Sequence, residues 1–181
     1  MKPYVIICIA LLAALLLLSA CGTAATPQEA TNADADMTNA ADVTDADPWA
    51  AITEDGVDEE AFFAALDQTV LTEVAQKLQT AVDEEAAAEE ANPELFLTEG
   101  WIRIFDSPQY RDVLALGKEA MPALYWIVYK SDRNGLYEFV CANALYELSG
   151  YDFTIADGVR QWDNAKALLP LFNQKILEER L

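Results

Sequence analysis

The sequence predicts an all-α protein, a small helical bundle that follows a signal peptide and a disordered acidic tether. From residue 58 onward, apolar residues recur every three or four positions, which is the period of a helix with one buried face. Alternation of apolar and polar residues, the pattern typical of strands, is nearly absent. Proline and glycine punctuate the apolar segments where helices are expected to begin and end.

Charge is distributed unevenly along the 181 residues. Residues 22–58 contain nine Asp and Glu and no Lys or Arg, and residues 59–91 contain nine acids and one base. Residues 92–181 contain thirteen acids and nine bases, an ordinary balance for a globular domain. Because the net charge of −20 repels nucleic-acid phosphates, we do not expect nucleic-acid binding.

The first 21 residues have the features of an export signal. Lys2 precedes an apolar run of 15 residues, from Tyr4 to Leu18. A membrane-spanning helix needs roughly 20 residues, so this run fits the core of a signal peptide over residues 1–20. It ends in Leu18-Ser19-Ala20-Cys21, a branched apolar residue, two small residues and a cysteine.

These four residues resemble the lipobox of bacterial lipoproteins. The resemblance implies cleavage before Cys21 and attachment of lipid to the Cys21 sulfur. Several acyl chains on one residue give stable membrane anchoring, whereas a single chain is marginal. The expected location is the extracytoplasmic face of a bacterial membrane.

Residues 21–57 are predicted to form a lipid-anchored, disordered acidic linker. Ala, Thr, Asp and Asn dominate this segment, and large apolar residues are nearly absent before Trp49. Low hydrophobicity and charge of one sign cannot offset the entropy lost when a chain becomes ordered. Repulsion between the carboxylates favours an extended tether.

Residues 58–91 are predicted to form an amphipathic helix with an acidic extension. Asp58 is a candidate N-cap. One stripe carries the apolar positions Phe62, Phe63, Leu66, Val70, Val74, Leu78 and Val82. The sequence DEEAAAEE at 83–90 has helix propensity but no apolar face, so we interpret it as a frayed extension or a linker.

Residues 92–181 are predicted to form an α-helical domain. The apolar cluster between Leu95 and Phe105 is interpreted as a helical turn or a short helix. The last helix contains Pro170, which is expected to kink or divide it. Other boundaries are marked by capping residues, Pro or Gly, at Ser107-Pro108, Gly117, Pro122, Asn134-Gly135 and Ser149-Gly150.

A helical hairpin is predicted over residues 116–150. Its first helix contains Leu116-Gly117, Ala120, Pro122 and Leu124, and its second contains Ala142, Ala144, Leu145 and Leu148. This pattern resembles one HEAT-type repeat, without a second copy at a fixed period. The resemblance implies a protein-binding scaffold that has no catalytic residues.

The residue inventory excludes several chemistries. The chain has no histidine, which removes Ser-His-Asp and Cys-His catalysis and His-ligated zinc. The lipobox resemblance implies that Cys8 leaves with the signal peptide and that Cys21 carries lipid, which leaves Cys141 as the one free cysteine. We interpret Cys141 as a small core residue, with an intermolecular or redox-active thiol as the alternative. No metal and no cofactor is expected.

Carboxylates leave one enzymatic alternative, a carboxylate-dependent cell-envelope hydrolase. The candidate pairs are Glu138 with Glu147 and Asp106 with Asp152. Glu138 and Glu147 are nine positions apart, which places them on opposite faces of a regular helix. We therefore do not expect an enzyme.

Two tyrosines form the candidate binding site. Tyr125 and Tyr129 are one helical turn apart and lie about 100° from the stripe that contains Leu124 and Ile127. At least one ring is then expected to reach solvent, although the rings could instead complete the core. Exposed tyrosine is common in binding surfaces. The predicted function is a membrane-anchored, non-catalytic module that binds an unknown protein or envelope component.

Overall fold

The computed structural model describes residues 46–180, which are mostly helical. The α-helices are α1 Glu59–Ala64, α2 Gln68–Ala91, α3 Glu94–Thr98, α4 Pro108–Ala115, α5 Met121–Lys130, α6 Leu136–Ser149 and α7 Ala165–Glu178. Short 3-10 helices span Pro48–Ala51, Gly100–Asp106, Gly117–Ala120 and Ala156–Gly158. Strands β1 (Ile52–Thr53) and β2 (Gly56–Val57) form an antiparallel hairpin in which Ile52 pairs with Val57. The all-α prediction is confirmed, and the predicted signal peptide and lipobox lie outside the described residues.

Helix α4 begins, and helices α4 and α6 end, at residues that the sequence marked. The Ser107 hydroxyl accepts a hydrogen bond from the Tyr110 amide at 3.1 Å, and Pro108 opens α4. Gly117 and Gly150 follow α4 and α6 at φ angles of +64° and +67°. Glycine adopts this left-handed conformation without a steric cost, so both helices end there.

The apolar stripe from Phe62 to Val82 is carried by two helices, which corrects the prediction of one. α1 ends at Ala64 and α2 begins after Asp67. The Asp67 carboxylate accepts hydrogen bonds from the amides of Thr69 at 2.8 Å and Val70 at 3.1 Å. An aspartate that caps free amides in this way favours a new helix start over continuation of the first helix.

The acidic segment 83–90 is part of α2, which corrects its interpretation as a frayed extension or linker. Glu85 is only 8% exposed, and its carboxylate accepts a charge-assisted hydrogen bond from Arg103. Because Arg103 supplies the partner that a buried carboxylate needs, the last turns of α2 pack on the Gly100–Asp106 helix. α2 also packs against α4, α5 and α6.

Residues 47–57 belong to the folded unit, so the predicted tether boundary at residue 57 is wrong. The Trp49 ring lies 5.8 Å from Phe62, 5.7 Å from Tyr125 and 5.4 Å from Phe172 between ring centroids. Ile52 is fully buried, and its carbonyl accepts a hydrogen bond from Arg180 at 2.8 Å. Trp49 and Ile52 thus pack with the core, although the segment that contains them has a polar average composition.

Within residues 116–150, helices α5 and α6 pack closely against each other. The resemblance of this pair to a HEAT-type repeat stays a prediction. Leu124 and Val128 of α5 and Val140 of α6 are fully buried at this contact. Cys141 is also fully buried, as its interpretation as a core residue requires, and burial raises the pKa of its thiol.

The final helix, α7, runs through Pro170 without being divided. Lys166 fixes its first turn against α5, because the Lys166 ammonium donates to the carbonyls of Val128 at 2.7 Å and Tyr129 at 3.0 Å. A cation at the carbonyl end of a helix also complements the helix dipole.

Candidate docking surface

Tyr125 is buried, which corrects the expectation that it contributes to a binding surface. Its ring is surrounded by Trp49, Phe62 and Phe172, and its hydroxyl donates to the Asn173 side chain at 2.8 Å. Burial raises the pKa of Tyr125 to about 12. The residue therefore acts as a core ring whose hydroxyl has an internal partner.

Tyr129 is half-buried and only partly accessible to a partner. Its ring stacks on Tyr125 with 5.9 Å between centroids and on Trp126 at the same distance. Lys130 lies 5.6 Å from the centroid of the Trp126 ring and forms an ion pair with Glu59 of α1 at 2.7 Å. Most of the aromatic area of Tyr125, Trp126 and Tyr129 thus packs in the core beneath α1. The sequence had left this open as the alternative in which the tyrosine rings complete the core.

The carboxylates proposed for catalysis are each held by structural contacts. The Glu138 carboxylate accepts from the Ser131 hydroxyl at 2.7 Å and from the Gly135 amide at 2.9 Å, which caps α6. Burial raises the pKa of Glu138, but these hydrogen bonds outweigh that effect, so its pKa lies below the usual value. Asp106 pairs with Arg111 at 3.5 Å, and Asp152 accepts from Thr154 at 2.6 Å.

Glu147 is exposed, and its carboxylate accepts hydrogen bonds from a polar network that begins inside the helical core. The buried Asn143 amide donates to the Tyr110 hydroxyl at 2.8 Å and to the Glu147 carboxylate at 2.6 Å. Arg160 completes the network by donating to the Asn143 carbonyl at 2.9 Å, and its guanidinium lies 5.1 Å from the Trp162 ring centroid. Both polar groups of the Asn143 side chain thus have hydrogen-bond partners. Because these partners come from α4, α6 and the loop before α7, the network links the three elements.

A polar cleft of about 760 Å³ follows the outer face of α2. Its lining is dominated by amide and hydroxyl side chains, namely Gln68, Thr69, Thr72, Gln76, Thr80 and Gln109. The Thr72 and Thr80 hydroxyls donate to backbone carbonyls one turn earlier, each at 2.8 Å. Small-molecule sites are mostly apolar with a few polar groups, so this cleft has the character of a solvated helix face.

A row of exposed apolar side chains on α3 and the following 3-10 helix is the strongest candidate for a binding surface. Phe96 is 58% exposed, Leu97 82% and Ile102 58%. With the half-buried Trp101, these residues lie within seven consecutive positions, and we call them the Trp101 surface. Clustered exposed apolar residues mark interaction sites more often than single ones do.

A cleft of about 310 Å³ adjoins this surface, because Trp101 itself forms one wall. Leu136 and Phe139 of α6 extend the apolar lining, and the rings of Trp101 and Phe139 meet edge to face with 5.3 Å between centroids. Asn134, Asp163 and Asn164 form the polar part of the rim. An apolar cleft with a polar rim matches the pockets that receive anchor side chains in protein interfaces.

The Trp101 surface and Pro48 lie near opposite ends of α2. Pro48 lines a small cleft together with Leu66 and Asp67, immediately before α2. Arg103, which directly follows Ile102, contacts Glu85 near the opposite end of α2. At 1.5 Å per residue, these two contacts are separated by about 25 Å along the helix axis. Pro48 therefore lies near the other end of α2 from the exposed row.

The sequence pattern predicted an apolar cluster that contains Phe96 and Ile102, but it did not predict that these side chains are exposed. The sequence did contain one indication of this exposure, which is the high density of apolar residues in the cluster. Leu95, Phe96, Leu97, Trp101, Ile102, Ile104 and Phe105 occupy seven of eleven positions. Short helices such as α3, with five residues, can bury only one side, so part of such a cluster must face solvent.

Comparisons with known proteins add no family or fold assignment. No protein-family model, curated protein or solved structure gives a significant match to the chain. Among residues 46–180, no helix is both long and apolar enough to cross a membrane. Within the same range, no group of three or more His, Cys, Asp or Glu side chains is placed to hold a metal ion.

Proposed function

We propose that the protein is a bacterial lipoprotein, anchored through lipid on Cys21 at the extracytoplasmic face of the membrane, whose helical domain is a non-catalytic binding module. The observation that carries the binding function is the exposure of Phe96, Leu97 and Ile102 beside the Trp101 cleft. Burial of these side chains against a partner protein would remove apolar area from water, which is the main driving force of association.

The anchor is supported by the lipobox sequence Leu18-Ser19-Ala20-Cys21 behind a run of apolar residues. The α5–α6 hairpin fits this function as a HEAT-like scaffold, with Gly117 before its first helix and Pro122 in the first turn. In this proposal the hairpin supplies Leu136 and Phe139 to the cleft, while α3 supplies the exposed row.

The hydrolase alternative has weaker support than the binding module. Glu138 caps α6 and Glu147 bonds to Tyr110 and Asn143, so neither carboxylate is free to face a substrate with the other. None of the four candidate carboxylates lines the α2 cleft or the Trp101 cleft in the described part of the chain.

Site-specific photo-crosslinking in intact membranes tests the docking surface. A photoreactive phenylalanine analogue replaces Leu97 or Ile102 in the full chain, and Ile155 in the control. Ile102 and Ile155 are well matched, because they are 58% and 55% exposed. We expect a discrete adduct from positions 97 and 102 and none of the same mass from position 155. Equal adduct patterns at all three positions, or no adduct at 97 and 102, would contradict docking at this surface.

A further inference from the structure

We infer that the segment docking on the Trp101 surface is a cationic amphipathic helix of a partner protein. Its apolar face would contact Leu97, Trp101 and Ile102, and its Lys or Arg side chains would face the surrounding glutamates. This inference rests on the proposed docking function and specifies the chemistry of the occupant.

The first argument is the one-signed charge around the exposed row. No Lys or Arg occurs between Lys77 and Arg103, whereas seven acids do, namely Asp83, Glu84, Glu85, Glu89, Glu90, Glu94 and Glu99. Glu94 and Glu99 flank the exposed Phe96 and Leu97 directly and are themselves exposed. A partner that covers the apolar row must therefore bring its own side chains close to carboxylates.

Arg103, the base that ends this acidic stretch of sequence, is already engaged by carboxylates. Arg103 bonds to the buried Glu85 and lies 3.8 Å from Glu99, so one guanidinium faces at least two carboxylates. The hydrogen bond that Arg103 donates to Glu85 raises the pKa of Arg103, and the charges of Glu85, Glu99 and Glu89 add to that effect. The charge of residues 78–103 therefore remains negative, which favours a cationic partner.

The same negative charge disfavours a second copy of the chain, or an anionic membrane, as the occupant of the Trp101 surface. Residues 46–180 contain 26 Asp and Glu against 10 Lys and Arg, so a second copy would bring two strongly acidic surfaces together. An anionic lipid surface meets the same repulsion. A partner segment with apolar and basic side chains would bury the exposed row and would also pair with the carboxylates around it.

The shape of the site favours a helix as the docking element. The lining of the Trp101 cleft includes the rings of Trp101 and Phe139 together with Asp163, so the cleft offers an anchor side chain both apolar contacts and a carboxylate. Helices dock in such grooves through apolar side chains at positions i, i+3, i+4 and i+7. Basic residues on the flanks of that stripe would reach Glu94, Glu99 and Asp163.

Binding of defined peptides to the full chain tests this chemistry. The chain is held in zwitterionic lipid nanodiscs, with empty nanodiscs as the reference. The probes are a synthetic helical peptide of Leu and Lys in amphipathic order, the same peptide with Glu in place of Lys, and a Leu/Lys peptide in scrambled order. We expect binding above the empty-nanodisc level from the amphipathic Leu/Lys peptide alone.

Matched variants locate the interaction. The double variant Glu94→Gln/Glu99→Gln should weaken binding by about 3- to 10-fold, as expected for loss of two partly exposed ion pairs. The control Glu54→Gln/Asp55→Asn removes the same charge from the β-hairpin turn and should leave affinity unchanged. Leu97→Ala should weaken binding as well, because it truncates the most exposed apolar side chain of the row.

Several outcomes would overturn the inference. Equal binding of the Lys and Glu peptides, equal effects of the two double variants, or no peptide binding would each exclude a cationic occupant. In those cases the adducts at positions 97 and 102 would still decide the docking function separately. A crosslinked product of twice the chain mass would identify a second copy, and a lipid adduct would identify the membrane, and both would overturn the cationic helix.

Discussion

Replacement of Ile52 by alanine should strongly destabilise the protein, although the residue precedes the first α-helix. Ile52 is fully buried in the hydrophobic core. The substitution removes three carbons, which at about 0.8 kcal/mol each gives roughly 2.4 kcal/mol, and the residual cavity adds to that. We therefore expect a loss of about 3 kcal/mol in the free energy of unfolding and a decrease of roughly 10 °C in the thermal midpoint.

The matched control is Ile155→Ala, which makes the same change at a side chain that is 55% exposed. It should alter the free energy of unfolding by less than about 0.5 kcal/mol. Urea unfolding, followed by far-ultraviolet circular dichroism, measures both variants. If Ile52→Ala unfolds at the same urea concentration as the control, residues 47–57 are not packed into the core and the tether extends as far as the sequence alone predicted.

Three further variants test the anchor and the polar contacts. Cys21→Ala should abolish incorporation of radioactive palmitate and processing at that site, and unchanged labelling would exclude this lipid attachment. Glu138→Gln should cost about 1–2 kcal/mol at pH 7, because it weakens the cap of α6. Since the pKa of Glu138 is lowered in the folded protein, its stabilisation is present above the usual value of 4.5 and is lost as pH falls through the folded pKa. The cost should therefore shrink in acid, and a constant cost from pH 7 to pH 3 would argue against this contact. Asn143→Ala should cost about 1–2 kcal/mol, since it removes the buried amide that bonds to Tyr110, Glu147 and Arg160, and a cost near zero would show that water replaces the amide.

The helices could be predicted because their causes are local in sequence. Ser107 accepts from an amide three residues away, and Gly117 and Gly150 supply the backbone conformation that ends a helix. Such contacts depend on neighbouring residues only, so the sequence places them correctly. The break between α1 and α2 at Asp67 was missed because the apolar stripe continues across it.

Features that depend on distant residues could not be predicted. Arg180 bonds to the Ile52 carbonyl across 128 positions, and Arg103 bonds to Glu85 across 18 positions. Without these partners, residues 47–57 have the composition of a tether and residues 83–90 that of a frayed end. Tyr125 was misplaced for the same reason, because Trp49, from the expected tether, covers its ring.

The decisive measurement compares Ile102→Ser with Ile155→Ser in membranes, using the crosslinker at position 97 to quantify the bound partner. Both variants remove an isoleucine of nearly equal exposure, so neither should shift the thermal midpoint by more than a few degrees. We predict that Ile102→Ser lowers the adduct yield by about tenfold, the effect of losing one important interface residue, and that Ile155→Ser leaves it unchanged. Equal yields from the two variants would show that the Trp101 surface does not bind the partner.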